Sequence, residues 1–147
     1  MRPNLPSMTP PLLPHGPGFR LVSEFAALET GPALRGQVWL NPDWPIFQDH
    51  FPGRPLLPAV YFAEMGAQVA GALWAMQAGF STATPLQLVE IRKFRIRLPA
   101  VPSQTLQIHA RLAVAWPELA TFQIQITREG SVLAEGEIVM AHPRAEA

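Results

Sequence analysis

His50 and Glu64 are the residues whose types and spacing suit chemistry. His50 stands in a proline-stiffened loop, His50-Phe51-Pro52-Gly53-Arg54-Pro55-Leu56-Leu57-Pro58. Fourteen residues after it, Glu64 interrupts an otherwise apolar stretch, Ala59-Val60-Tyr61-Phe62-Ala63-Glu64-Met65-Gly66-Ala67-Gln68. An unpaired buried charge is costly, so a carboxylate in that setting calls for a use other than stability. An imidazole titrates near neutral pH, and a desolvated glutamic acid can keep its proton. The two form a base and an acid, suited to removing a proton beside a carbonyl while a hydroxyl departs.

The elements that must position this pair follow from pattern. A helix is expected from near Pro58, since proline suits a first helical turn, to Gly79. It is apolar nearly all round and must be surrounded by protein. Before it, Leu34 to Leu40 alternates as a half-buried strand, Phe19 to Ala27 reads as a short strand or a turn of helix, and Asn41 to Pro58 reads as loop. After it, Ile91 to Leu98 sets Phe94, Ile96 and Leu98 on one face and Lys93, Arg95 and Arg97 on the other. Thr105 to Ala115 and Leu119 to Arg128 alternate likewise, and Glu129-Gly130 turns the chain into Val132 to Ala141. One long helix followed by an antiparallel meander implies an α+β domain with its sheet wrapped round the helix. Residues 1–17 carry six of the 17 prolines and read as an extended arm, with one domain over 18–142.

Composition narrows the function classes. Hydrophobic residues make up 48% and charged residues 15% of 147, which implies an exposed apolar patch and oligomerisation to cover it. Eleven basic residues balance eleven acidic ones, so no bulk charge draws the chain to nucleic acid or membrane. Glu64, Gln68 and Gln77 argue against a membrane span over Leu56 to Ala78. No signal peptide is expected in the proline-broken N-terminus. The absence of cysteine excludes thiolate chemistry and fits the cytoplasm. His109 and His142 have no partners at metal-ligand spacing, so no metal is expected.

From about Leu12 to Ala141 the chain resembles the β-hydroxyacyl-acyl carrier protein dehydratases of the FabZ type. The resemblance rests on Leu12-Leu13-Pro14-His15 with Phe19-Arg20-Leu21-Val22, on the His50-to-Gln68 motif, and on Phe94-Arg95-Ile96-Arg97 with Pro99 and Val101-Pro102. It implies a hot-dog fold and elimination of water from a (3R)-3-hydroxyacyl thioester to give a trans-2-enoyl thioester, with no cofactor beyond the carrier's phosphopantetheine. His50 is then the base for the C2 proton and Glu64 the group that helps the 3-hydroxyl leave. Gln68, one turn beyond Glu64, orients that carboxyl. The amides of Ala59 and Val60 polarise the thioester carbonyl. His15 takes a structural role near the fold's edge.

Glu64 lies roughly 9 Å along the helix from Pro58, at about 1.5 Å per residue, whereas His50 precedes the helix. One chain does not easily bring them together; a site shared across a two-fold homodimer, as the resemblance implies, does. Lys93, Arg95 and Arg97, helped by Arg92 or Arg54, are candidates for docking an acidic acyl carrier protein. Four residues depart from the family pattern: Ala59 for glycine, Ser103 and Gln104 in Pro102-Ser103-Gln104 for Pro-Gly-Asp, and Ser23 for an acidic residue. The rival readings are a hot-dog acyl thioesterase and a catalytically weak hot-dog partner subunit.

Overall fold

The structure is a computed structural model that describes residues 7–8, 13–28, 30–81 and 83–143. In chain order the elements are β1 (Ser7–Met8), β2 (Glu24–Ala27), β3 (Ala33–Trp39), α1 (Ile46–Asp49), α2 (Ala59–Ala78), β4 (Gln87–Ile96), β5 (Thr105–Ala115), β6 (Leu119–Arg128) and β7 (Ser131–Ala141). The strands form one antiparallel sheet in the order β1-β2-β3-β5-β6-β7-β4, curled about α2. This is the hot-dog arrangement that the sequence implies.

The limits of α2 follow local chemistry. Pro58, at φ −59° and ψ 142°, caps the start, and Gly79 takes the left-handed conformation that ends the helix, its N–H donating to the Ala75 carbonyl. Between them the buried residues run round most of the circumference, from Phe62 to Ala75. Small side chains let the sheet approach closely. A Cβ at Gly66 would lie 2.9 Å from Ile124 of β6, and one at Gly36 of β3 would lie 2.6 Å from Val69. The fully buried Phe25, Phe62, Phe122, Leu34 and Ile138 fill the layer between sheet and helix, each contributing about 1.5–3 kcal/mol.

Two features are absent from the sequence reading. The loop before α2 holds the short helix α1, where Trp44 stacks on buried Phe47 with ring centroids 5.9 Å apart. In β4, Lys93 has φ +49° at an irregularity where Arg92 and Arg95 lie opposite Glu137 and Glu135. Two residues there face one on β7, which resets the alternation. Ile91 therefore shares the inner side with Phe94 and Ile96, while Arg95 stays on the outer side. At its far edge β4 has no strand partner among the described residues, and Val89, Ile91 and Ile96 are exposed along it.

Candidate functional site

His50 is held at both ends. Its backbone N–H donates to the Ile46 carbonyl at the end of α1, and its carbonyl accepts from Leu56 N–H. Its ring Nδ1 lies 2.8 Å from the Leu56 carbonyl oxygen. A carbonyl only accepts, so Nδ1 carries the proton and Nε2 presents a lone pair. The ring stacks on Phe51 at 4.0 Å and lines a cleft of about 430 Å³ with Leu56, Ala59, Phe62, Arg97 and Leu98. The wall is mostly apolar and the imidazole is half-buried.

Glu64 faces a second pocket. Gln68, one turn further along α2 and 1% exposed, donates through Nε2 to Glu64 Oε1 at 3.2 Å. The rest of that amide ties the segment before β2 to the helix. Nε2 also donates to the Phe19 carbonyl at 2.8 Å, while Oε1 accepts from the N–H groups of Leu21 at 3.0 Å and Val22 at 3.4 Å. Gln68 thus reaches Glu64 as a saturated brace, and nothing of its amide is left for a ligand.

His15 is the neighbour that the sequence reading missed. Leu13 is buried in the core and pins the segment, and His15 Nε2 then lies 3.6 Å from Glu64 Oε1. The signal was the Leu-Pro-His segment itself, but its contact with Glu64 spans almost fifty residues of sequence and is invisible to local pattern. Beyond His15, Glu64 and Gln68 the pocket turns apolar, lined by Ala67, Gly71, Ala75, Leu86, Leu88 and Met140.

The two chemical groups do not share a pocket in one chain. Ala59 and Phe62 face His50, whereas Glu64, two residues after Phe62, is turned about 200° from it round the helix at about 100° per residue. The N–H groups of Ala59 and Val60 have no acceptor among the described residues, because Pro58 offers no side-chain cap; Tyr61 N–H donates to the Pro58 carbonyl. Ala59 opens onto the His50 cleft, and Val60 is exposed. Among the basic candidates, Arg97 lines that cleft and is paired with Glu135, while Arg54 stands in an adjoining apolar recess with Phe51 and Val101. Lys93 lines a groove on the outer face of the sheet with His109, Arg111, Glu135 and Glu137, and Arg95 is exposed. No group of three or more potential metal ligands occurs among the described residues, and no described helix is long and apolar enough to cross a membrane.

Known proteins share this fold. The family of ApeI-like sequences, the ApeI dehydratases, matches residues 27–137. A 3-hydroxyacyl-[acyl-carrier-protein] dehydratase FabZ from Syntrophotalea carbinolica is 35% identical over 127 residues, 86% of each chain. The FabZ of Herpetosiphon aurantiacus is 32% identical over 130 residues, 88% of this chain and 92% of its own. Among solved structures, the dehydratase heterocomplex ApeI:P from Xenorhabdus doucetiae superposes with a TM-score of 0.75 at 22% identity, covering 90% of this chain and 89% of that one. Zebra fish thioesterase superfamily member 2 superposes with a TM-score of 0.55 at 14% identity over 81% of each chain. The fold is therefore common to dehydratases and thioesterases, and only the site can separate them.

Proposed function

The chain belongs to the ApeI-like dehydratase family, and from that premise we propose that it is a hydro-lyase acting on a (3R)-3-hydroxyacyl thioester of an acyl carrier protein. One observation carries the assignment of roles. Leu56 occupies Nδ1 of His50, leaving Nε2 as a base, while Gln68 fixes one oxygen of Glu64 and leaves Oε2 without a partner among the described residues. Nε2 takes the C2 proton, and the C–H electron pair becomes the C2–C3 double bond. The C3–O bond breaks, and Glu64 gives its proton to the departing hydroxyl, which leaves as water. Charge builds on the thioester oxygen as the C–H bond breaks, and the free amides of Ala59 and Val60 suit that oxygen. Return of the proton from His50 to Glu64 restores the enzyme. The elimination is redox-neutral overall, so the chemistry calls for no redox group.

The placement of His50 and Glu64 on different sides of α2 supports a homodimer in which His50 of one protomer works with Glu64 of the other. The uncovered apolar edge of β4 is the natural seam. Because this chain carries both halves, two like copies hold two complete sites. Arg54 and Arg97 beside the His50 cleft suit the acidic carrier and its phosphate; Arg95 and Lys93 extend the basic stripe. The cytoplasm fits such a partner. The test is mass spectrometry of a (3R)-hydroxyacyl carrier protein incubated with the enzyme. Loss of one water that vanishes in His50→Ala is the expected result. A deacylated carrier identifies a thioesterase, and an unchanged one a subunit that needs a different partner.

A further inference from the structure

We infer that His15 is a positioning residue for Glu64, an inference that rests on the dehydratase reading and assigns the residue that fixes the direction of the acid's proton. The geometry sets one hydrogen-bond donor and one nearby imidazole nitrogen against the same carboxyl oxygen. Gln68 Nε2 lies 3.2 Å and His15 Nε2 3.6 Å from Oε1 of Glu64, whereas Oε2 has no partner among the described residues. An oxygen that receives N–H groups is the one that does not carry the proton, so the acidic hydrogen belongs on Oε2.

The other ring nitrogen fixes the state of the imidazole. Nδ1 of His15 is buried and has no hydrogen-bond partner among the described residues. A proton on Nδ1 would strand a buried donor and turn the Nε2 lone pair toward the lone pairs of Oε1. The tautomer with its hydrogen on Nε2 avoids the clash of lone pairs and leaves Nδ1 as a bare acceptor rather than a stranded donor.

The surroundings hold this arrangement. Leu13 anchors the segment in the core, Arg20 donates to the His15 carbonyl at 2.9 Å, and the imidazole lies 6.3 Å from the Phe19 ring. Phe19 is in turn bonded through its carbonyl to Gln68, so both groups against Oε1 of Glu64 are set by one stretch of chain. At 3.6 Å the Nε2 contact is longer than a formed hydrogen bond and acts on Glu64 as a close polar contact.

Substitution can separate this role from simple support, because glutamine places its amide nitrogen where Nε2 stands and asparagine places it where Nδ1 stands. In dimeric enzyme assayed on a (3R)-hydroxyacyl carrier protein, His15→Ala and His15→Asn are expected to lower kcat by about 10²-fold, the scale of a misplaced catalytic group, with KM little changed. His15→Gln should recover most of that loss. Thermal melting of all three checks that they fold; if His15→Ala does not, the glutamine–asparagine comparison still decides. A raised KM with unchanged kcat would show that His15 only contacts the acyl chain and would overturn the inference. Equal activity of the glutamine and asparagine variants, or full activity in His15→Ala, would overturn it too. Failure of the dehydratase reading is distinguishable, because then the unaltered enzyme releases no water.

Discussion

An imidazole can use one ring nitrogen as an anchor and the other as a base, and the Leu56 carbonyl takes the anchoring role at His50. The same division operates at Glu64, where Gln68 holds one oxygen and leaves the other without a partner among the described residues. Replacing Glu64 by glutamine keeps the side chain's shape and its contact with Gln68 but removes the proton. Glu64→Gln should therefore lower kcat by about 10²–10⁴-fold with little change in melting temperature, and His50→Ala should do the same, read by water loss from the acyl carrier. Turnover within tenfold of the unaltered enzyme would remove either residue from the mechanism. His109 offers a separate test, on stability. Burial first, and then the charge of Arg35 opposite it, lower its pKa below the ordinary 6.5. Between the folded value and 6.5 the unfolded chain binds more protons, so stability rises with pH there. This contribution is complete above 6.5 and is lost as the pH falls from 6.5 toward the folded value. Melting temperature should consequently drop less steeply on acidification in His109→Gln, and equal slopes would refute the assignment. His50 and Glu64 were legible because their types are odd for their surroundings. The partnership of His15 with Glu64 was not, because it depends on where the fold returns a distant segment.

Local rules were most readable where one element obeys one rule. The start of α2 at proline and its end at Gly79, the limits of β5 and β6, and the Glu129–Gly130 turn, with φ of +49° and +82°, all follow from short-range chemistry. The bulge in β4 was not readable, because it resolves a contest between β4 and β7 over register that neither segment reveals alone. The helix α1 was hidden by prolines that punctuate its loop; what holds it is the packing of Trp44 on Phe47. The turn before β5 shows how a departure from the family pattern can be absorbed. Ser103, where relatives of the FabZ type are expected to have glycine, sits at φ +69°. Gln104 takes over the turn's side-chain bonds, accepting from Val101 N–H at 3.0 Å and from Arg128 at 2.8 Å. The turn keeps its shape at the expense of a strained serine. Ser103→Gly should thus stabilise the protein by about 0.5–1 kcal/mol, because a left-handed conformation is unfavourable for a residue with a Cβ. Thermal unfolding would show this as a rise of about 1–4 °C, and a fall would mean that the serine hydroxyl stabilises the turn.

On the scale of the whole molecule the decisive fact is what one chain leaves incomplete. α2 separates His50 from Glu64, and β4 exposes Val89, Ile91 and Ile96 along an edge without a strand partner among the described residues. Composition already pointed to a covered apolar face, but it could not say where; the order of strands leaves β4 at an edge with exposed apolar side chains. If a second copy covers it, each site takes His50 from one protomer and Glu64 from the other, and this has a consequence that no single substitution can mimic. Two inactive proteins, His50→Ala and Glu64→Gln, should regain activity when mixed under conditions that exchange subunits. In a mixed dimer the Glu64→Gln chain still supplies His50 and the His50→Ala chain still supplies Glu64, so one of the two sites is intact and the other carries both changes. Random pairing of equal amounts makes about half of the dimers mixed, so about a quarter of the unaltered activity should return. A site built within one protomer would give no recovery at all, since every chain in the mixture would lack one of its two groups. Recovery that tracks subunit exchange, followed by mass spectrometry of differently tagged chains, therefore decides whether the catalytic pair belongs to one chain or to two.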